Sequence, residues 1–354
     1  MIESTMQDIK ELSVEELSAW LLEHSWESYR ARQISRWIYV RQADSFSDMT
    51  DLSQSLRDVL SENFTMSRLK ILKTESSSDG AKKYLFRLND GEYIESVLIP
   101  EKDHFTLCVS TQVGCLQGCQ FCLTAKNGFT RNLTKAEIVS QVRDIANELK
   151  ESKPLTNIVF MGMGEPLANY DNLIQAIDVI TNSDFGLKFS TRRVTVSTAG
   201  IVPRLSDLGR DAQVNLAVSL NATDNKTRSM LMPINRQYPL EQLLEACRNF
   251  PLKPRRRITF EYILIRGIND LPDDAKRLSR LLQSIKAKIN LIPFNEYDGC
   301  KFKRPEAADI LRFQEILLKN NYTVNIRYSK GLDISAACGQ LRAQHAEQLT
   351  PSDA

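Results

Sequence analysis

The sequence predicts an α/β fold: a partial (β/α)6 barrel, with a small α-helical domain before it and a strand-rich linker between the two. Three observations carry that expectation. Apolar residues repeat at helical spacing through residues 9–64. From Thr106 onward, short β-branched and aromatic runs alternate with helical stretches, the pattern of a parallel sheet. Glycines and polar residues then recur at the carboxyl ends of five predicted strands, where barrel proteins keep their sites.

The elements follow in order. Residues 9–22 read as a helix, with Ser13 a fitting N-cap three residues before Glu16. Residues 29–40 and 52–64 predict two more helices. Around Arg68 the period changes to that of strands, at 68–73, 83–88 and 93–100, with Asn89-Asp90-Gly91 as a hairpin turn. Barrel strands are expected at 106–111, 157–163, 193–198, 214–221, 258–265 and 288–294, with a last strand near 323–328. The helices between them are expected at 134–150, 171–181, 240–250, 271–287 and 307–320. Pro239 stands just before the third of these, where a helix start tolerates it. The domains expected are a helical accessory domain at 1–65, the linker at 66–103, the barrel at 104–343 and a polar tail at 344–354 whose composition suits disorder.

Composition excludes some classes. With 46 basic and 44 acidic residues the formal charge is +2, so any nucleic-acid surface must be a local patch. Met1 opens onto a polar stretch without an apolar signal core, and no apolar run reaches the length of a membrane span. A cytoplasmic home, where thiols stay reduced, is expected for the seven cysteines.

Three of those cysteines stand together as C-x3-C-x2-C, at Cys115, Cys119 and Cys122. Three thiolates on one short loop suit three irons of a cubane [4Fe–4S] cluster. No fourth Cys is near, which leaves one iron open for a substrate or cofactor and favours an enzyme over an electron carrier. The spacing also suits buried thiols or a zinc site, but zinc usually takes a second pair of ligands and the nearest His is His104. Further along lie the strand-end groups: Met161-Gly162-Met163-Gly164-Glu165-Pro166, Ser197-Thr198-Ala199-Gly200, Ser219-Leu220-Asn221 and Phe294-Asn295.

These residues carry a resemblance. C-x3-C-x2-C after a first barrel strand, with Gly164-Glu165-Pro166 after the second, resembles the radical S-adenosylmethionine enzymes. Residues 106–111 (TLCVST), 114–122 (GCLQGCQFC), 128–133 (GFTRNL), 161–167 (MGMGEPL), 194–200 (VTVSTAG), 232–235 (MPIN), 290–295 (NLIPFN) and 333–341 (DISAACGQL) narrow it. Together they resemble the RlmN-like dual-specificity adenine C2 methyltransferases of 23S rRNA and tRNA, from about Arg30 to Leu341.

The resemblance implies two cofactors, a [4Fe–4S] cluster on Cys115, Cys119 and Cys122 and S-adenosylmethionine on its open iron, used twice per turnover. It implies that Cys338 accepts a methyl group, that a 5′-deoxyadenosyl radical removes a hydrogen from it, and that the methylene joins adenine covalently. It implies that Cys108 then attacks Cys338 to form a disulfide and free the RNA, and that Glu95 takes the C2 proton. Taken alone, Cys108, Cys338 and Glu95 would pass for core thiols and a solvated strand residue. Cofactor contacts carried over are Gly164, Glu165, Ser197, Ser219, Leu220, Asn221 and Asn295. The family often has His where this chain has Asn221, which makes the backbone contact there the surer one. Cys247 and Cys300 match no functional position. The implied partners are 23S rRNA, tRNA and a low-potential electron donor of flavodoxin or ferredoxin type, with the protein a monomer away from membranes.

An RNA surface is expected where Arg30, Arg32, Arg36 and Arg41 stand beside Tyr29, Trp37 and Tyr39. An amphipathic helix with Trp37 in the core reads equally well there. Lys253 with Arg255, Arg256 and Arg257, and Lys301 with Lys303 and Arg304, are further basic groups, or simply solvated faces. Rival expectations are a C8-directed methyltransferase of the antibiotic-resistance branch, a non-catalytic iron–sulfur or zinc RNA-binding module, and a radical enzyme acting on a small molecule.

Overall fold

The computed structural model describes residues 6–149, 152–297, 299–341 and 343. The tail expected at 344–354 lies outside the described residues. The amino-terminal part is helical. Strands β1 (Gln7–Asp8) and β2 (Phe64–Thr65) pair in parallel and bring the ends of this part together. Between them run α1 (Val14–Glu23), α2 (Arg30–Arg36) and α3 (Gln54–Asn63). The Ser13 cap forms as the sequence suggests. Its Oγ accepts from Glu16 N at 3.1 Å and Glu16 Oε2 accepts from Ser13 N at 2.7 Å. That box also explains why the helix starts at Val14 and not at Ile9: Ile9–Glu11 is a separate 3-10 turn capped by Asp8.

Strands β3 (Lys70–Ser76), β4 (Lys82–Arg87) and β5 (Tyr93–Pro100) form an antiparallel meander. Strand β6 (Phe105–Cys108) lies antiparallel on β5, with Val97 opposite Cys108. A separate hairpin, β7 (Gln112–Gly114) with β8 (Phe129–Asn132), follows. Strands β9 (Leu155–Phe160), β10 (Val194–Thr198), β11 (Asn215–Ser219), β12 (Ile258–Leu264), β13 (Ala287–Pro293) and β14 (Val324–Ile326) continue from β6 in parallel. Among the described residues the result is a ten-stranded open sheet in the order β14-β13-β12-β11-β10-β9-β6-β5-β4-β3. The segment expected as a linker is therefore an extension of the barrel sheet, because β5 gives its edge to β6. Strand β14 adds a short parallel strand to the six expected, as the last predicted strand allows.

Helices α4 (Leu123–Lys126), α5 (Lys135–Glu148), α6 (Tyr170–Thr181), α7 (Val202–Asp211), α8 (Asn225–Leu231), α9 (Leu240–Arg248), α10 (Pro272–Leu281) and α11 (Ala307–Lys319) connect the strands. Sequence periodicity passes over α7 and α8. The first carries Pro203 and Gly209 among four charged residues, and the second is only seven residues long. Helix α10 stops before the expected 287 because Ala287 and Ile289 are committed to β13.

One apolar core runs from Ile9 through the sheet to Leu341, so the helical part shares its interior with the barrel. Arg143 of α5 joins the two. It is 1% exposed. Its Nε donates to Ile38 O at 3.0 Å, its Nη1 to Asp144 Oδ1 at 2.8 Å and its Nη2 to Asp44 Oδ1 at 3.0 Å. Asp144 Oδ2 in turn accepts from Leu69 N at 2.9 Å. A buried cation with all three nitrogens bonded is tolerable, whereas removing it strands Asp144 and the carbonyls of Ile38 and Ala43 in a dry site. Arg143→Met should therefore cost about 3–5 kcal/mol in urea denaturation, and a loss below about 1 kcal/mol would contradict the anchor.

Candidate active site

The site is built on the carboxyl ends of the parallel strands. Strand β6 delivers Cys108 to the inner face, 7% exposed. The chain then turns into the β7–β8 hairpin, which frames the cysteine loop. Gly114 takes φ +75°, and a side chain there would collide with the carbonyl of Gly128. That closeness lets Cys115 N donate to Gly128 O at 2.7 Å. Past the loop, Cys122 N donates to Cys119 O at 3.1 Å and Gln120 N to Leu231 O at 2.9 Å. A small apolar cluster of Phe121, Leu231, Met232, Ile234 and Phe294 backs the loop.

The carboxyl-terminal segment closes the site. Leu123 N donates to Gly339 O at 2.7 Å, and Thr124 Oγ1 to Leu341 O at 2.5 Å. Gly339, at φ +80°, would bring a Cβ to 3.4 Å from Phe121 O. These contacts place Cys338 beside the cysteine loop. Asn295 helps: its Nδ2 donates to Ser329 Oγ at 2.9 Å and to Cys338 O at 3.4 Å.

The glycine-rich turn after β9 packs on the chain after β6. Gly162 N donates to Val109 O at 3.1 Å, Met163 N to Ser110 Oγ at 2.8 Å and Glu165 N to Gln112 Oε1 at 2.8 Å. The Glu165 carboxylate, 3% exposed, accepts from Leu167 N at 3.1 Å and from Ala199 N at 2.7 Å. Burial raises its pKa, and those two N–H groups pull the other way.

One cavity of about 1130 Å³, counting its open mouth, touches Cys115, Cys119, Cys122, Cys108 and Cys338. Gly164, Glu165, Ser197, Ser219 and Asn221 line it too. Three expected residues do not. Leu220 is fully buried, and its carbonyl accepts from Arg228 Nε at 3.1 Å. Asn295 acts from behind, as described above. Glu95 lies on the face of β5 that also bears Val97 and Ile99, two residues that do line the cavity. Its carboxylate is 3.3 Å from Lys83 Nζ and accepts from Ala343 N at 3.1 Å. Asn221 sits at φ 58°, and its side chain is spent on the fold: Oδ1 accepts from Ile263 N at 2.8 Å and Nδ2 reaches Met232 Sδ at 3.2 Å.

Burial pushes the Cys115 thiol up to about 12. It raises Cys119, Cys108 and Cys338 as well, with neighbouring thiolates adding to the rise at Cys119 and Cys108, and the Glu261 carboxylate adding to it at Cys338. Cys338 is exposed in the sense that its surface opens into the cavity, yet the protein packed around its sulfur still disfavours the thiolate. Periodicity misses one residue of consequence, Arg228. It is 0% exposed. It donates to Ala199 O at 2.7 Å, Ser219 O at 3.2 Å, Leu220 O at 3.1 Å and Asn235 Oδ1 at 3.0 Å, and burial lowers its pKa to about 10. Its positive charge acts on Cys119. The one sequence signal for it is its place just before the 232–235 motif.

The expected RNA surface divides. Tyr39 is 5% exposed and belongs to the core, so it offers no stacking face. Tyr29 is exposed, with the Arg30 guanidinium 4.8 Å from its ring centre, and Arg32 and Arg36 are exposed beside it. Arg41 lies 4.0 Å over the half-buried Trp37 ring and 3.5 Å from Asp51. Lys303 is paired with Glu296 at 2.8 Å, and Arg256 and Arg257 hold Gln213 O and Thr323 Oγ1, each at 2.7 Å. Lys301 rests 5.5 Å from the Phe302 ring and Arg304 5.6 Å from the Tyr328 ring.

The open parallel sheet, with a three-cysteine loop at its first strand end, defines the class. Residues 109–281 match the Radical SAM superfamily model, and residues 7–66 match the ribosomal RNA large subunit methyltransferase N-terminal domain. A dual-specificity RNA methyltransferase RlmN of Desulfosudis oleivorans is 61% identical over 337 residues, covering 95% of this chain and 91% of its own. The RlmN of Geobacter sulfurreducens is 57% identical over 350 residues, covering 99% and 96%. A radical SAM methyltransferase of Sphaerobacter thermophilus superposes with a TM-score of 0.90 at 43% identity, over 96% of this chain and 100% of that one. The chain belongs to the RlmN family of dual-specificity RNA methyltransferases.

Membership brings the superfamily's two cofactors, a [4Fe–4S] cluster and S-adenosylmethionine. The cavity's donor set fits them. Three thiols share one wall, a cation stands near Cys119, and hydroxyl and carboxylate oxygens face them from the neighbouring strand ends. Among the described residues no three His, Cys, Asp or Glu side chains are gathered as around a single ion. A cubane spreads its thiolates over three separate irons, so its ligands stand further apart than those of one ion.

Gly164 offers a direct check. At φ +100°, a Cβ there would lie 2.5 Å from Gln112 Cβ. Gly164→Ala should weaken S-adenosylmethionine binding roughly tenfold or more in equilibrium dialysis of the anaerobically reconstituted protein. An unchanged affinity would remove this turn from the site.

Proposed function

We propose that this protein methylates carbon 2 of adenosine in 23S rRNA and tRNA, with Cys338 as the methyl carrier and Cys108 as the group that releases the RNA. The observation that carries the proposal is the single cavity shared by the cysteine loop, the Gly164–Glu165 turn and these two further thiols. Carbon 2 of adenine lies between two ring nitrogens and is too electron-poor to displace a sulfonium methyl as a nucleophile. One-electron chemistry is the way round this, and it belongs to a cofactor. When bound, the cluster and S-adenosylmethionine supply an electron-driven hydrogen abstraction and a transferable methyl group.

The chain's residues do the rest. Cys115, Cys119 and Cys122 hold the irons. Glu165 accepts hydrogen bonds from the methionine amine, while Ser197, Ser219 and Asn221 line the remainder of the cofactor and Leu220 lies behind them. Asn295 acts as a positioning residue for the Cys338 segment. Cys338 carries the methyl carbon to adenine and becomes joined to it. Glu95, desolvated beside Lys83, takes the proton that leaves C2. The Cys108 thiolate attacks Cys338 Sγ: a sulfur–sulfur bond forms, the sulfur–carbon bond breaks, and the freed carbon takes a proton to become the methyl group.

The target base must leave its stack to reach so deep a pocket, which a loop of folded RNA permits more cheaply than a duplex. Tyr29, Arg32, Arg36 and Arg41 on the helical domain are the proposed RNA contacts. A flavodoxin-like or ferredoxin-like donor, a monomeric state and a cytoplasmic location complete the proposal. Among the described residues no helix is long and apolar enough to cross a membrane.

Cys108→Ala should accumulate a covalent protein–RNA adduct through Cys338 under turnover, seen as a gel-shifted, nuclease-sensitive species. No adduct would remove Cys108 from the release step. Cys338→Ala should abolish methylation while the brown cluster absorbance persists, and continued methylation would discard the carrier. Mass mapping of the product separates C2 from C8 modification.

A further inference from the structure

Arg228 on α8 is a fully buried cation that forms no ion pair among the described residues. Arg143, equally buried, has Asp144 and Asp44 against its guanidinium. The partners of Arg228 are all neutral: the carbonyls of Ala199, Ser219 and Leu220, and Asn235 Oδ1. Holding strand ends together needs donors but no charge, and a lone charge in a dry site is costly. The position of this one explains its retention. Two of its four acceptors belong to Ala199 and Ser219, which line the cavity together with Cys119. Three residues beyond Arg228, Leu231 O accepts from Gln120 N at 2.9 Å, directly after Cys119. The guanidinium is thereby held between the cavity wall and the cysteine loop. Its charge acts on two thiols, Cys119 and Cys247, and of these only Cys119 faces the cavity.

On the ligand assignment given above, Cys119 carries iron as a thiolate. A fixed positive charge beside a metal centre favours the oxidation state with more negative charge, and the field is strong where water is excluded. Reduction adds one electron and therefore one negative charge. We propose that Arg228 tunes the reduction potential of the cluster, its buried charge raising the potential at which the cluster accepts an electron from its low-potential donor. Arg228 touches no reacting atom. It acts across Cys119 and is a positioning residue, whose effect is on how readily the site is charged with an electron.

The inference rests on the three-cysteine ligand assignment, and its test separates the two. The full chain is reconstituted anaerobically with iron and sulfide, without S-adenosylmethionine or RNA. Iron content and absorbance show whether a cluster forms at all, and a wild-type protein that holds none would overturn the assignment and the inference with it. The midpoint potential is then read by a mediated redox titration that follows the paramagnetic signal of the reduced cluster. Arg228→Gln should lower the midpoint by about 59 mV or more, a tenfold change in the ratio of reduced to oxidised cluster. Asn235→Asp keeps the arginine in place and sets a carboxylate against its Nη1, so it should lower the midpoint as well, and it decides the matter if Arg228→Gln does not fold. Arg228→Lys keeps a charge that the metal-bound thiolate holds protonated, and should keep the wild-type midpoint even where urea unfolding shows that the lost hydrogen bonds weaken the fold. A cluster whose midpoint is unchanged in Asn235→Asp and in any folded Arg228→Gln would overturn the tuning role. So would a midpoint in Arg228→Lys that falls as far as in Arg228→Gln, which would leave Arg228 a clamp between β10 and β11.

Discussion

The site exists because the carboxyl-terminal segment is hydrogen-bonded to the cysteine loop. Thr124 and Leu341 lie 217 positions apart in sequence and meet at 2.5 Å, and Leu123 N holds Gly339 O beside them. Closing so long a loop costs little more entropy than closing a shorter one, since each doubling adds only about 0.6 kcal/mol. Two short bonds and the packing of Leu341 therefore suffice to keep Cys338 against the loop. Without that contact the protein would still have a cysteine loop and a barrel, but the Cys338 sulfur would be elsewhere.

Electrostatics impose the second condition. Arg228 is a fully buried cation whose bonds go to three carbonyls and one amide oxygen, with no carboxylate among them. A buried charge is expensive unless something opposes it. Its charge acts on Cys119, and on the proposed ligand assignment a metal-bound thiolate there would be the negative group that balances it. Conversely, the thiols are costly to ionise while desolvated, as the rise at Cys115 illustrates, and iron binding removes that cost. Arg228 also ties the ends of β10 and β11 together, so charge balance and geometry reside in one side chain.

Much of this was legible in the sequence, for physical reasons that differ by element. The Ser13–Glu16 cap, the 3.6-residue repeats and the alternation of strands and helices are local signals, and they placed the barrel. The cysteine spacing named the metal chemistry because three thiols on one loop have few other uses. The meander at residues 66–103 read as a linker, since sequence shows strands but not which edge they join. Arg228 and Gln112 escaped notice because an isolated Arg or Gln carries no period, and their importance lies in partners far along the chain. Tyr39 looked like a stacking residue, but helical spacing cannot tell which face of α2 and the turn after it meets the core.

The account stands on Cys338 being a methyl carrier held at the cofactor. The most direct measurement is anaerobic reconstitution followed by brief exposure to S-adenosylmethionine with an isotopically labelled methyl group, without RNA, and mass analysis of the peptide containing Cys338. The account predicts the label on the Cys338 sulfur. An unlabelled Cys338 in protein that goes on to methylate RNA with the labelled group would contradict it.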